Sequence, residues 1–521
     1  MPTFKGYYLP PNIEEELSPS MDFEERLVGD ATILVPILTP DHVHTLLPLL
    51  RSNRQRISGF SITKIASLYD KVSTRWQDHN YDRKQVALKY LPILTSLSPE
   101  LIEYFQFRSI YKISQSTIEF LASFYTTGEV FKRFVEIKGS NTYLRSYGGL
   151  RDKMKIKNVL RGPKEHNLVT YITPSNVPGF IEALGIFLGN IAKASVLVKT
   201  PTAQPLFAPL FAESIREVSP ELGDTLCVVP WSGGDRSIED MIFEQSDVVS
   251  VVSSTETALS VKQRVDQFNK RKNGGRIQGC YHGGKFGMEL VAREFATEEV
   301  AGLAAIDAVG YEGYMCASPA FGFFVERGGE LSPEEFAAKV AEKLRELSLI
   351  IPQQALFRSL RERKVAETIP NLQLGQDKVF TTPNHDYAVV YQNQPSLNPV
   401  GQNRFVRVMP VDDLAEVVQM TKPWRGYLQT AGVAIPNNRL FEGGLAEAMG
   451  KAGFSSLRVV GTVALPRLGE AWDRNFPFLE FFIPDSTDWI SVNTTDVAAE
   501  IKQLSQERQT LFEGGVFALE N

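Results

Sequence analysis

The 521-residue chain reads as an α/β protein with two parallel-sheet domains. Three observations say so. From Asn167 short β-branched runs alternate with amphipathic segments of helix length. The alternation restarts after Gly283-Gly284-Lys285. The chain is also longer than one hydrophobic core organises.

Up to about residue 165 the pattern is mainly helical, with an Asp or Ser cap before the apolar series at 41–48 and 98–103. Next come a strand at 168–172, a helix at 180–188 stopped by Gly189-Asn190, a strand at 195–199 and a helix at 205–218. A strand at 225–229, a helix at 238–245, a strand at 247–252 and a helix at 256–271 complete a doubly wound sheet. The second series has a strand at 286–292, a helix at 298–309, a strand at 321–326, a helix at 333–347, a strand at 386–392 and a helix at 412–420. The expected boundaries are 1–282 for a helical region plus a Rossmann-like cofactor domain, and 283–440 for a catalytic domain. The segment from about 440 to 521 is expected to pack back on the first domain or to form an oligomerisation extension. Its aromatic stretch Phe476-Pro477-Phe478-Leu479-Glu480-Phe481-Phe482 reads as an edge strand or docking tail.

Apolar residues make up 43%, charged residues 22%, and the formal net charge is -6, so no polybasic surface invites nucleic acid. The three cysteines, Cys227, Cys280 and Cys316, are too scattered for a disulfide framework and lack zinc spacing. No metal is expected, and a reducing cytoplasm fits. No stretch is long and apolar enough to span a bilayer.

Cys316 lies in Tyr314-Met315-Cys316-Ala317-Ser318-Pro319, between a helix and a strand, where a loop can present a thiol to a cleft. A thiolate there could attack a carbonyl and form a covalent thioester, although a single loop cysteine taken alone reads as structural. Asn176, in the turn Thr173-Pro174-Ser175-Asn176, stands at the carboxyl end of a strand and could donate to an oxyanion; a turn or capping Asn is the plainer reading. Lys199 and Thr200 end the next strand, facing a cofactor ribose or only solvent. Ser253-Ser254-Thr255 opens a helix and suits either a phosphate or an ordinary cap. No Gly-x-Gly-x-x-Gly stands at these turns.

Taken in order, these segments resemble the aldehyde dehydrogenase superfamily over roughly residues 165–465. Pro174-Ser175-Asn176 is similar to its Pro-Trp-Asn, Lys199 to its strand-end lysine, Ser253-Ser254-Thr255-Glu256 to its Gly-Ser-Thr-Glu, and Gly283-Gly284-Lys285 to its Gly-Gly-Lys. Cys316-Ala317-Ser318-Pro319 and Leu465-Pro466-Arg467-Leu468-Gly469 resemble most the LuxC-type long-chain acyl-CoA reductases, with Trp472-Asp473-Arg474 where that group has His-Asp-Gly. The resemblance implies a dehydrogenase-like fold, Cys316 as nucleophile, Asn176 as oxyanion donor, and cofactor contacts from Thr173, Pro174, Ser175, Lys199, Thr200, Thr202, Ser253, Ser254 and Thr255.

Two departures refine it. The glutamate that activates water in hydrolytic members aligns with Tyr281, which favours acyl transfer over hydrolysis; Glu289 or Glu312 could replace it. The glutamate of NAD-preferring members aligns with Thr202, so NADPH is the expected cofactor, ahead of NADH. The expectation is therefore reduction of an acyl-CoA, or another activated acyl group, to the aldehyde through a cysteinyl acyl-enzyme. Coenzyme A enters with the substrate, an acyl-activating or acyl-transferring protein is a conceivable partner, and a homo-oligomer is implied. The alternatives are oxidation of an aldehyde in the opposite direction, a non-catalytic scaffold of the same fold, and a cysteine thioesterase using His282.

Overall fold

The protein is described from a computed structural model. It covers residues 1–110, 113, 135–137, 159–161, 166–174, 178–271, 277–373, 375–465, 470–473, 491–492 and 496–514. The described part of the amino-terminal region is mainly helical, as expected, but it opens with a sheet of β1 (Thr3–Lys5), β2 (Asp22–Val28) and β3 (Ala31–Ile37) in the order β1-β3-β2. Val28 pairs with Ala31 across Gly29-Asp30, and Gly29 takes φ +61°, so a two-residue hairpin turn makes the sheet. The helices Pro40–Asn53, Ile62–Gln77 and Asp82–Thr95 follow. The first is capped by the Thr39 hydroxyl, which accepts from His42 N at 3.3 Å; the expected cap, Asp41, sits instead in the first turn. Tyr8 exchanges two 2.8 Å backbone hydrogen bonds with Val228, so the amino-terminal chain covers an edge of the next sheet. A separate antiparallel pair joins β4 (Val135–Ile137) and β5 (Val159–Arg161).

The next sheet contains β6 (Leu168–Ile172), β7 (Ser195–Thr200), β8 (Leu226–Pro230), β9 (Val248–Val252) and β10 (Gln278–His282). All are parallel, in the order β10-β9-β6-β7-β8. Being covered on both faces, they are continuous apolar runs, and β6 and β8 are buried throughout. The strand order reverses between β6 and β9, which puts a ligand crevice at their carboxyl ends. Gly189 does not stop the first helix, which runs Phe180–Ile191. A Cβ at Gly189 would lie 2.4 Å from Val196 Cγ2, so its glycine lets helix and strand approach. Cys280 is in the middle of β10.

The larger sheet contains β11 (Phe286–Val291), β12 (Phe323–Glu326), β13 (Lys378–Thr381), β14 (Ala388–Tyr391), β15 (Phe405–Val411), β16 (Leu428–Ala434), β17 (Ser456–Val459) and β18 (Ser491–Val492). Their order is β13-β14-β15-β12-β11-β16-β17-β18, parallel except for the edge strand β13. The segment beyond about 440 therefore supplies β17 and β18 to this sheet, and its final helix, Val497–Gly514, packs on the helix Glu298–Val309 and on β16 and β17. The aromatic stretch at 476–482 lies outside the described residues.

Candidate active site

Only three residues, Gly283-Gly284-Lys285, connect the end of β10 to the start of β11. The carboxyl edge of the five-stranded sheet thus meets the amino edge of the eight-stranded one. A Cβ on Gly283 would lie 3.1 Å from Thr255 Cα, and Thr255 Oγ1 donates to Gly284 O at 3.3 Å, so the turn after β9 rests on this hinge. Across it, Lys285 Nζ donates to Gly426 O at 2.7 Å.

Cys316 precedes β12 on that amino edge. The chain reaches it through Tyr311, Glu312 and Gly313, all left-handed at φ +53°, +53° and +78°. Left-handed non-glycine residues cost roughly 1–2 kcal/mol each and persist only when the surroundings impose them. Here Tyr311 Oη donates to Phe105 O at 3.1 Å, and the Glu312 carboxylate accepts from Arg404 Nη2 at 2.8 Å and from Gln353 Nε2 at 2.5 Å. Asn403 N donates to Glu312 O at 2.7 Å, and Asn403 and Arg404 are themselves left-handed. After the thiol, Gly287 N donates to Ser318 O at 3.0 Å and Phe321 N to Gly287 O at 3.1 Å, tying the loop to β11. Cys316 is partly exposed, whereas Cys227 and Cys280 are buried in strands. Burial pushes the Cys316 thiol up to about 11; the charge of Asp473 adds to the rise, and Arg458 opposes it.

The carboxyl-terminal segment brings both of those charges. Arg458 Nε donates to Glu470 Oε2 at 2.7 Å, with both side chains about 1% exposed. Asp473 Oδ2 accepts from His282 Nδ1 at 2.8 Å, and Lys285 Nζ lies 3.2 Å from Oδ1. Burial raises the Asp473 carboxyl, but His282 and Lys285 outweigh it and keep it ionised below the usual range. Successive strand residues face opposite sides, so Tyr281 and His282 diverge. Tyr281 folds over Gly279 toward Lys262 of the helix Thr255–Arg271, while His282 turns to Asp473. Glu289 is fully buried on β11; burial and then the neighbouring Asp307 raise its carboxyl well above the usual range. Sequence reading pointed to His282 only as the histidine nearest the thiol in the chain, and it gave no role to Asp473, Arg458 or Arg404, because they come from segments remote from Cys316 in sequence.

Those expected cofactor residues that are described lie at or just after the ends of β6, β7 and β9. Thr173 donates from N and Oγ1 to Lys199 O, each at 3.1 Å, and its hydroxyl also reaches Glu182, so it ties β6 to β7. Lys199 Nζ stands 5.7 Å from the Trp231 ring centroid; burial lowers its amine and Glu239 opposes this. Thr200 Oγ1 is buried without a partner. Thr202 is exposed, and its carbonyl accepts from Arg26. Ser254 Oγ caps the following helix by accepting from Thr257 N at 3.2 Å, and Ser253 N donates to His282 O at 3.0 Å. Open space surrounds Gly233 and Gly234 after β8. An unpartnered hydroxyl, a lysine and an open glycine turn on one edge fit a dinucleotide. Pro174 sits at the end of β6, while Ser175 and Asn176 lie outside the described residues. Among the described residues no group of three His, Cys, Asp or Glu could hold a metal ion, and no helix is long and apolar enough to cross a membrane.

The family profile described as acyl-CoA reductase (LuxC) matches residues 57–483. The chain belongs to the LuxC acyl-CoA reductase family. No curated protein matches it in sequence. Among solved structures, aldehyde dehydrogenase 21 from Physcomitrella patens, in complex with succinate, shares 12% identity at a TM-score of 0.64, covering 91% of this chain and 93% of its own. A salicylaldehyde dehydrogenase from Pseudomonas putida G7 shares 14% at 0.62, covering 96% of each chain. A Mycobacterium tuberculosis aldehyde dehydrogenase complexed with NAD+ shares 15% at 0.61, covering 91% and 96%. At these identities the likeness shows the fold, which is that of the aldehyde dehydrogenases. This LuxC-family chain is accordingly an oxidoreductase of the acyl-CoA and aldehyde class.

Proposed function

We propose that the protein uses NADPH to reduce an acyl-CoA to the aldehyde through an acyl thioester on Cys316. The supporting observation is that neither carboxylate that could replace the missing water-activating glutamate is available as a base: Glu312 is held by Arg404 and Gln353, and Glu289 is fully buried with its carboxyl raised well above the usual range. A thioester kept from hydrolysis survives until it is reduced or returned to coenzyme A.

Cys316 Sγ attacks the acyl carbonyl, coenzyme A leaves, and the acyl group stays on sulfur. Asn176 and the Cys316 N–H steady the oxyanion. NADPH, when bound, supplies the hydride. Thr173, Pro174 and Ser175 shape its crevice, Lys199 and Thr200 meet its ribose, and Ser253, Ser254 and Thr255 meet its phosphates. Thr202 leaves a 2′-phosphate without a repelling carboxylate. The region up to 282 serves as cofactor domain and that from 283 as catalytic domain. The protein acts in the cytoplasm as a homo-oligomer, with its acyl group delivered by coenzyme A or an activating protein.

Incubation with acyl-CoA without nucleotide should add the acyl mass to the intact protein. Addition of the same mass to Cys316→Ala would refute the reading. Lys199→Ala should weaken NADPH binding about tenfold more than NADH binding, measured by nucleotide fluorescence; equal losses would remove the case for NADPH. A thioesterase is the second reading, favoured by the His282–Asp473 contact. Free acid formed from acyl-CoA without nucleotide, as fast as aldehyde forms with it, would replace reduction by hydrolysis.

A further inference from the structure

The ionisation of Cys316 poses a problem that the reaction must solve. At neutral pH its thiol carries its proton, since burial and the Asp473 charge disfavour the thiolate and Arg458 only partly compensates. Attack on a thioester needs the thiolate. Something beside the sulfur has to take the proton.

We propose that the His282–Asp473 pair is that base: the Cys316 proton passes to the His282 imidazole on acylation and from there to the leaving coenzyme A thiolate. The inference deepens the acyl-exchange reading above. Four observations carry it. His282 stands at the carboxyl end of β10, on the side of the strand turned to Asp473 rather than to Lys262. Its Nδ1 meets Asp473 Oδ2 at 2.8 Å with both groups mostly buried, and an ionised carboxylate there fixes the tautomer and supports an imidazolium. The Cys316 loop is tied by Gly287 N to Ser318 O, 3.0 Å, to the strand that begins four residues after His282, so pair and thiol share one junction between the sheets, and the Asp473 charge acts on the thiol across it. Trp472 sets its ring edge-on to the imidazole at 6.1 Å, so the residue that replaces the LuxC-type histidine confines a histidine arriving from another strand.

The step balances. The S–H bond of Cys316 breaks, the new S–C bond forms, the S–C bond to coenzyme A breaks, and the imidazole hands its proton to that sulfur. No electrons are exchanged in this half, so it runs without nucleotide. The charged and titratable groups around the pair are Lys285 on Asp473, and Arg458 and Tyr311 beside Cys316.

The test uses full-length protein and two probes of Cys316, iodoacetamide and acyl-CoA, with the modified peptide followed by mass. In the wild type both rates should climb as the imidazole loses its proton, and that climb should depend on His282. In His282→Asn, which keeps a donor to Asp473, acylation at pH 7 should fall roughly 10²–10³-fold, the climb should move toward the thiol's own ionisation, and added imidazole should restore part of the rate. Unchanged pH profiles in His282→Asn overturn the proposal, whatever happens to its melting temperature. A wild type that resists acyl-CoA yet shows the His282-dependent climb with iodoacetamide refutes the acyl-CoA reading and supports the base.

Discussion

Glu312 stands four residues before the nucleophile in a left-handed conformation, and its carboxylate is consumed by Arg404 and Gln353. Arg404 Nη1 also donates to Ser348 Oγ at 2.9 Å, so one guanidinium joins the cysteine loop to the helix Pro333–Ile350. Both partners are almost fully buried. Removing one leaves an uncompensated charge, which costs more than the pair contributes. Arg404→Met should therefore destabilise the protein by about 3–5 kcal/mol in urea unfolding. It should also slow Cys316 alkylation at a temperature where the fold persists, because the left-handed turn loses its anchor. A loss under about 1 kcal/mol would mean that Glu312 finds another partner. Sequence reading found Cys316 at this scale through its segment, but left Glu312 as a possible base. Whether a carboxylate is available or already paired depends on a residue 92 positions away, which no local pattern records. The His282–Asp473 contact spans 191 positions and was hidden for the same reason.

At the scale of the element, legibility followed burial. Strands such as β6, β7 and β9 are enclosed by helices, so they are unbroken apolar runs that can be recognised one by one. In β2 most side chains are exposed, and the strand carries charges that suit a helix equally well. Its surest sign was the Gly29-Asp30 turn. Gly189 shows the opposite error, because one residue type serves both helix stops and close packing. Gly189→Ala tests which role applies. A helix-stop glycine outside the helix would tolerate or resist the change by its backbone conformation, and one inside an exposed helix would gain from it. Gly189 is inside the helix and its Cβ would meet Val196, so Gly189→Ala should cost about 1–3 kcal/mol in urea unfolding. A stabilised variant would contradict the close approach.

For the whole molecule, the buried carboxyl groups set how stability responds to pH. Burial, and then Asp307, raises Glu289; burial also pushes Asp307 up to about 7, against the N–H groups of Gly461 and Val463, which donate to it at 2.5 and 2.9 Å. The directions of the two shifts make Glu289 on β11 the member that keeps its proton and Asp307 on the helix Glu298–Val309 the one that ionises first. This links the strand, the helix and the loop after β17 beneath the active-site sheet. On the helix Phe180–Ile191, beside the five-stranded sheet, Glu182, raised by burial to about 8 despite donors from Gly179, Gln204 and Thr173, acts in the same sense. Groups whose folded pKa lies above the unfolded value favour the native state fully at low pH, below the usual carboxylate range, and lose that contribution as pH rises through the folded value. Melting temperature should therefore decline from about pH 5, above the ordinary carboxylate range, to about pH 8, where Glu182 ionises in the folded protein. Glu289→Gln keeps the shape and a donor to Asp307 while removing the second ionisation. Over that interval it should lose less stability than the wild type, because one of the ionisations that opposes folding is gone. Parallel pH curves for the two proteins would show that the Glu289 ionisation does not contribute, and the alkaline decline would then belong to Asp307 and Glu182.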